Sequence, residues 1–202
     1  MIALPHDYST AAAYDGSMGQ RLAPGGYVCR IIGARSETVN TRNGEKQKFV
    51  LAYDIDEGEF AGYFDAQYKR AKEQSGSSAK WRGTYDTFIL TNEGATNPFF
   101  KGLLTCIDKS NEPFACVVNG QLNEASLKGK LIGLLMREEE YIGSDGKKHT
   151  ATRACAARSV QTIREGGFEV PEPKLLQGNG GRNASASVPA GYTQVEDDDL
   201  PF

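Results

Sequence analysis

Apolar and polar residues alternate in several short segments of the chain, a pattern typical of strands in an antiparallel sheet. Phe49, Leu51, Tyr53 and Ile55 share one face of residues 46–55, which predicts a strand with one core-facing side. A β-branched run at residues 27–32 predicts the strand before it. Asn43-Gly44, between the two, is a strong hairpin signal, so we expect them to pair antiparallel. Residues 82–90, 127–142 and 148–163 are three further predicted strands, the last two joined by a turn at Ser144-Asp145-Gly146.

Two segments have helical spacing instead. The aromatic residues of 60–76 recur at three- and four-residue intervals, and Asn97-Pro98 is a typical start for a second helix. If the first helix is an insertion, three strands, a helix and two strands remain, which is the order of the OB-fold. We therefore predict a mainly β (α+β) protein with a single five-stranded OB-fold barrel, helical insertions and a disordered acidic C-terminal tail. Four aromatic residues are assigned to its core: Phe49, Tyr53, Phe99 and Phe100.

Composition divides the 202 residues into four parts: an N-terminal arm (1–22), the OB-fold domain (23–170), a Gly-, Asn-, Ala- and Ser-rich flexible linker (171–195) and an acidic tip (196–202). Residues 171–202 carry five acidic and two basic residues, and the rest carries 21 of each, so the body is neutral. A neutral body is weaker evidence for nucleic acid than a basic one.

The four cysteines form no Cys-x-x-Cys pair and there are only two histidines, so we expect no metal site, no cofactor and reduced thiols. We see no signal-peptide pattern and no apolar run of membrane-spanning length, which favours a soluble protein of the cytoplasm, that of a bacterial host if a phage encodes it. The sequence contains no phosphate-binding loop and no nucleophile–histidine arrangement, so an enzyme is not expected.

The last six residues combine three carboxylates with two apolar side chains and a proline: Asp197, Asp198, Asp199, Leu200, Pro201 and Phe202. Their charges are costly to desolvate, so the segment is unsuited to the core of its own domain. It suits a socket on another protein, where Phe202 would fill an apolar pocket and a basic rim would receive the carboxylates. We predict that these six residues bind partner proteins.

This ending resembles the acidic tip of bacterial and phage single-stranded DNA-binding proteins. The body resembles tailed-phage members of that class in four segments, at residues 25–28, 57–64, 99–102 and 163–171. The resemblance implies an OB-fold that binds single-stranded DNA without sequence preference, and a tip that recruits replication, recombination and repair proteins. Relatives of this class are often dimers or tetramers, so we expect a homo-oligomer.

Sequence-independent binding requires cations for the phosphates and flat rings for the bases. Trp81 lies between two cations, and either stacks on bases or belongs to the core. Other cations occur on the predicted first helix, on the polar side of the second strand and on the last two strands. The predicted DNA-binding residues are Lys46, Lys48, Lys69, Arg70, Lys80, Trp81, Arg82, Tyr85, Arg137, Lys148 and Arg153.

Three other functions remain open. Four carboxylates at the end of the second strand are candidate metal ligands of a nuclease: Asp54, Asp56, Glu57 and Glu59. A charged turn is the simpler explanation for them. The chain is also compatible with a single-strand annealing recombination protein, or with an adaptor whose tip docks on a replication protein while the body binds something other than DNA.

Overall fold

The computed structural model describes residues 21–42 and 44–176. The strands are β1 (Gly25–Thr41), β2 (Gly44–Ile55), β3 (Thr84–Phe88), β4 (Val117–Val118), β5 (Gln121–Leu122), β6 (Leu131–Ile142) and β7 (Lys148–Arg158). The helices are α1 (Tyr63–Ser75), α2 (Pro98–Ser110) and α3 (Val160–Arg164), with short 3₁₀ turns at Gly76–Ser78 and Glu124–Leu127. The predicted order of strands and of the first two helices is therefore confirmed.

Five strands form one antiparallel sheet in the order β3-β2-β1-β6-β7, and β4 and β5 form a separate small hairpin. Strand β1 joins the two halves of the sheet, because Gly25 to Arg30 pair with β6 and Cys29 to Thr41 pair with β2. A bulge at Ile32 shifts the register within the β1–β2 ladder, between Ile31 and Gly33. The edge strands β3 and β7 contact each other, but no ladder of hydrogen bonds joins them. The described sheet is thus five-stranded and antiparallel, as predicted, without being a closed barrel.

The core lies on one side of this sheet. Alternate residues of β2 and β6 point into it, and Phe49, Tyr53 and Leu134 are at most 1% exposed. Helix α2 covers the same side with Leu103 and Ile107. The alternation that predicted Phe49 and Tyr53 as core residues is therefore confirmed.

Helix α2 begins as predicted, because the Asn97 side chain accepts a hydrogen bond from the Phe99 N–H at 2.9 Å and proline follows at position 98. Phe100 packs edge-on against Phe49, with ring centroids 5.4 Å apart. Phe99 is 48% exposed, so its assignment to the core was wrong. The first turn of α2 remains largely exposed, and burial along the helix begins at Leu103.

The last predicted strand is shorter than expected. It ends at Arg158, and Ser159 then caps α3 by accepting a hydrogen bond from the Thr162 N–H at 3.2 Å. Helix α3 packs Val160 and Ile163 against the opposite side of β1 and β6, forming a second, smaller apolar cluster. The predicted strand over 148–163 therefore combines a strand with a capped helix.

Segments on both sides of the domain attach to the β6–β7 hairpin. Leu22 is 2% exposed, and its carbonyl accepts a hydrogen bond from the Thr152 hydroxyl at 2.6 Å. Lys174 exchanges backbone hydrogen bonds of 2.8 and 2.9 Å with Glu138 and Glu140 of β6. The start of the predicted linker therefore lies along β6, whereas residues 1–20, Asn43, the remainder of the linker and the tip fall outside the described residues. No helix in the described ranges is long and apolar enough to cross a membrane.

Candidate nucleic-acid interface

The side of β2, β3 and the β6–β7 hairpin that is turned away from the core carries four of the eleven predicted DNA-binding residues, Lys46, Lys48, Arg137 and Arg153. We call it the outer face and define it by these side chains: Lys46, Lys48, Asp86, Phe88, Arg137, Glu139, Tyr141, His149 and Arg153. The ladder pairs Lys48 with Phe88 and Val50 with Asp86 on the two neighbouring strands. Because Phe49 and Leu51 point into the core, Lys48 and Val50 must point away from it.

Asp86 connects the two halves of the outer face. Burial raises the pKa of its carboxyl, although the side chain is 51% exposed, and Lys48 acts in the opposite direction. Glu37, Arg153 and Glu139 also act on this carboxyl electrostatically. The β6–β7 hairpin and the β1–β2 hairpin therefore both bring charges within reach of the same residue of β3.

Lys48 is the centre of a buried ion-pair cluster. Its Nζ lies 3.2 Å from a Glu37 carboxylate oxygen and 3.9 Å from one of Asp86, and its side chain is only 4% exposed. Burial opposes ionisation of Glu37, but hydrogen bonds from Arg35 and Lys48 outweigh it and lower the pKa. The prediction placed Lys48 on a DNA-binding surface, whereas its ammonium is covered by its two carboxylate partners. We therefore leave Lys48 out of the direct contacts.

Lys46 lies two residues earlier on the same side of β2 and is less covered. Its Nζ is 5.4 Å from the centre of the Phe88 ring and donates a hydrogen bond to the Asn92 side chain. A cation over a ring face is a weak attraction at an exposed site. Lys46 and Phe88 therefore form one cation–ring pair on the outer face.

The β6–β7 hairpin carries a second such pair. Tyr141 lies opposite His149 in the ladder, and the two rings stack with centroids 5.6 Å apart and 29° between their planes. The Arg153 guanidinium lies 5.2 Å from the centre of the Tyr141 ring. His149 Nε2 is also 2.9 Å from an Asp145 carboxylate oxygen. Sequence reasoning named Arg153 and considered His149 as a surface charge, but it missed Tyr141 and the pairing of the two rings, which equal spacing from the Ser144-Asp145-Gly146 turn would have predicted.

Carboxylates lie next to the other hairpin cations. Arg137 donates to Glu139 at 2.8 and 2.9 Å, and Lys148 lies 2.7 Å from Glu140. The hydrogen bond from Lys148 is the main cause that lowers the pKa of Glu140. A phosphate that binds at either cation would have to compete with a carboxylate already in place.

The remaining predicted cations form a separate cluster beside α1. Lys69, Arg70, Lys80 and Arg82 are exposed there, and Lys69 lies 2.6 Å from Asp65. Helix α1 begins after the C-terminal end of β2, and that end, Ile55, lies nine residues beyond Lys46, or about 30 Å along an extended strand. The structure therefore divides the predicted cations between two ends of β2.

The two aromatic residues predicted beside these cations are structural. The Trp81 indole N–H donates to the backbone carbonyls of Tyr53 and Gly83 at 3.2 and 3.1 Å, and Tyr68 packs against its ring. Tyr85 is 6% exposed and belongs to the core. Of the two roles considered for Trp81, this geometry supports the core role, and neither ring is positioned to stack on a base.

Three of the four acidic residues at the end of β2 have a partner in the structure: Asp54, Asp56 and Glu57. No partner is described for Glu59. Asp54 accepts backbone hydrogen bonds at the start of α1, Asp56 pairs with Arg30 at 2.6 Å, and Glu57 pairs with Arg164 at 2.5 Å. Within the described ranges, no three His, Cys, Asp or Glu side chains are grouped as a metal site would require. The geometry thus fits the charged-turn explanation of this segment. Comparison with protein-family models and with curated proteins finds no match to this chain.

Proposed function

We propose that this protein binds single-stranded DNA without sequence preference through its outer face, and protects it during DNA replication, recombination and repair. The observation that carries the proposal is the pair of cation–ring arrangements, Lys46 with Phe88 on the neighbouring strands β2 and β3, and Arg153 with Tyr141 on the β6–β7 hairpin. Rings provide stacking surfaces for any base, and neighbouring cations attract the backbone phosphates.

The sheet topology supports an OB-fold. Strands β1, β2, β3, β6 and β7 have the order expected for its five strands, α2 lies between the third and the fourth, and the two edge strands approach each other. We propose that these edges complete a barrel. In such barrels the face of the second and third strands and the loops after the first and fourth strands bind oligonucleotides. Here these elements are β2, β3 and the turns of the β1–β2 and β6–β7 hairpins.

Base stacking explains why single strands would be preferred. The bases of a duplex are stacked on one another, so Phe88, Tyr141 and His149 would meet only its phosphates. An unpaired strand presents its base faces, and each stacked base contributes about 1–3 kcal/mol. We therefore propose that these rings contact bases while Lys46, Arg137 and Arg153 contact phosphates, and that Lys148 is a further phosphate contact on the other side of the β6–β7 hairpin. The exposed cations beside α1 would meet DNA that extends beyond the outer face.

Partner recruitment is the second part of the proposal and rests on the sequence of the tip. Three consecutive carboxylates followed by Leu200, Pro201 and Phe202 suit a basic socket with an apolar centre. We propose that replication, recombination and repair proteins provide such sockets, and that the protein acts as a phage-type homo-oligomer.

A fluorescence polarisation titration tests DNA binding. Labelled oligo-dT and a duplex of equal length are titrated with protein at low and at near-physiological salt. We expect tighter binding to oligo-dT, with an affinity that falls as salt rises because phosphate contacts release counterions. No binding to either DNA at low salt would refute the proposal.

Variants locate the interface. Tyr141→Ala removes a stacking ring and should weaken oligo-dT binding about 5- to 150-fold, which corresponds to one stacked base. Tyr68→Ala, on α1, is the matched control and should change the affinity less than about threefold, because that ring packs on Trp81. If Tyr68→Ala weakens binding more than Tyr141→Ala does, the interface lies beside α1 and not on the outer face.

A further inference from the structure

We propose that Asp86 is an acidic gate at the centre of the outer face, a carboxylate that limits the affinity for single-stranded DNA and releases this limit when it is protonated. The inference rests on the proposed function, because it concerns the same surface. It adds a regulatory residue that opposes binding, in contrast to the cations and rings that favour it.

The position of Asp86 supports this role. It lies on β3 between two buried residues, Tyr85 and Thr87, and its own side chain points away from the core and is 51% exposed. Its Oδ2 is 3.9 Å from Lys48 Nζ, which is otherwise enclosed by the protein. Asp86 is therefore the solvent-facing member of the Lys48 cluster. It screens the charge of Lys48 from any single-stranded DNA that crosses β3.

The local charge balance makes this one carboxylate important. Each of two arginines pairs with the glutamate two positions later on its own strand, Arg35 with Glu37 and Arg137 with Glu139. Lys48 and Arg153 are the two further cations that act on Asp86. The cluster around Asp86 then has four cations and three carboxylates, a formal charge of about +1 that rises to about +2 when Asp86 is neutral.

The direction of the pH effect follows from the surroundings of Asp86. Burial raises the pKa of this carboxyl, Lys48 and Arg153 lower it, and Glu37 and Glu139 raise it. The net result is a pKa above that of an ordinary aspartate, so Asp86 takes up its proton at a higher pH as the solution is acidified. Its negative charge disappears, and the affinity for a polyanion is expected to rise.

Comparison of wild type with Asp86→Asn measures the gate. Both proteins are titrated into labelled oligo-dT at low salt at about pH 7.5 and at about pH 4, close to the ordinary pKa of an aspartate, and circular dichroism checks that both are folded at each pH. We expect Asp86→Asn to bind oligo-dT roughly three- to tenfold more tightly at the higher pH. The substitution removes the repulsion between the Asp86 carboxylate and the phosphates, and low salt screens this repulsion only weakly. The ratio of the two affinities should fall toward one at the lower pH.

Two further variants exclude trivial explanations. Glu165→Gln removes one carboxylate directly after α3, outside the outer face, and tests whether net charge alone is responsible. It should leave the oligo-dT affinity within about twofold of wild type. Asp86→Ser removes the same charge with a different side chain. If circular dichroism shows that Asp86→Asn is misfolded, Asp86→Ser takes its place and should show the same tighter binding.

Each outcome decides the question. If wild type binds oligo-dT and the Asp86 variants bind equally well at the higher pH, the gate is refuted and the proposed function stands. If the variants bind more tightly by a ratio that does not change with pH, protonation does not open the gate and that part is refuted. If no protein binds oligo-dT, both the gate and the proposed function are refuted.

Discussion

Replacing Asp54 with alanine is expected to destabilise the domain by about 3 kcal/mol, because this carboxylate caps helix α1 from the end of the neighbouring strand. Helix α1 follows Gly62, which provides no side-chain cap. Asp54 accepts the N–H groups of Phe64 at 2.9 Å and of Asp65 at 3.1 Å instead, and also the N–H of Ile55 at 2.8 Å. A strand residue thereby satisfies helix N–H groups that have no partner within the helix.

The magnitude follows from these contacts. A hydrogen bond to a charged acceptor contributes about 1.5–3 kcal/mol, and a buried N–H without a partner has a comparable cost. Asp54 is 7% exposed, so water cannot easily replace its carboxylate at the Phe64 N–H. The Asp65 N–H is only partly buried and would regain a water partner. The sum is therefore closer to 3 than to 6 kcal/mol.

Thermal and urea unfolding followed by circular dichroism measure this loss. A loss of about 3 kcal/mol lowers the Tm of a domain of this size by roughly 6–12 °C. Glu57→Ala is the matched control from the same acidic segment, because it removes an exposed ion pair with Arg164 and should cost less than about 1 kcal/mol. If Asp54→Ala unfolds within 1 kcal/mol of Glu57→Ala, the capping role assigned to Asp54 is wrong.

Four further predictions follow from the described contacts and from the tip. Trp81→Phe loses both indole hydrogen bonds and should unfold about 1–2 kcal/mol more easily, with oligo-dT affinity changed less than about twofold; a large loss of affinity would restore the stacking role. Gly83→Ala would place a Cβ 2.2 Å from a backbone oxygen, and we expect a loss of at least about 2 kcal/mol in urea unfolding; wild-type stability would contradict the packing described. Cys29 is enclosed by the core, and burial raises the pKa of its thiol, so iodoacetamide should label the half-buried Cys106 before Cys29 in native protein. Peptide mass spectrometry measures the order of labelling, and earlier labelling of Cys29 would contradict this prediction. Deleting residues 196–202 removes four carboxylates and should tighten oligo-dT binding at low salt, and an unchanged affinity there would show that the tip does not oppose binding.

The strands with one buried side were predictable because burial on a single face imposes a period of two on the sequence. Residues 46–55 have this period, and Phe49 and Tyr53 are buried accordingly. The second half of β1 was missed for the same reason. Residues 33–41 have polar side chains at most positions and bury few of them, so their ladder with β2 leaves no periodic signal.

The site was less predictable because it depends on register between strands. Alternation correctly placed Lys48 on the side away from the core, but it contains no information about neighbouring strands. The ladders place Glu37 beside Lys48 on one strand and Asp86 near it on the other, and these two carboxylates cover the cation. Lys48, which was predicted to bind phosphate, is therefore the buried centre of an ion-pair cluster. Its neighbour Asp86 is the group that DNA bound to the outer face would meet.

The C-terminal segment links the two parts of the proposed function. Glu140 accepts a hydrogen bond from the backbone N–H of Leu176 at 3.1 Å and pairs with Lys148 at 2.7 Å. The chain thus leaves the described domain beside the hairpin that carries Tyr141 and Arg153. Lys148 is also a proposed phosphate contact. If bound DNA draws this cation away from Glu140, the N–H of Leu176 is the remaining described partner of the Glu140 carboxylate. The proposed DNA interface and the attachment point of the segment leading to the tip therefore share one carboxylate.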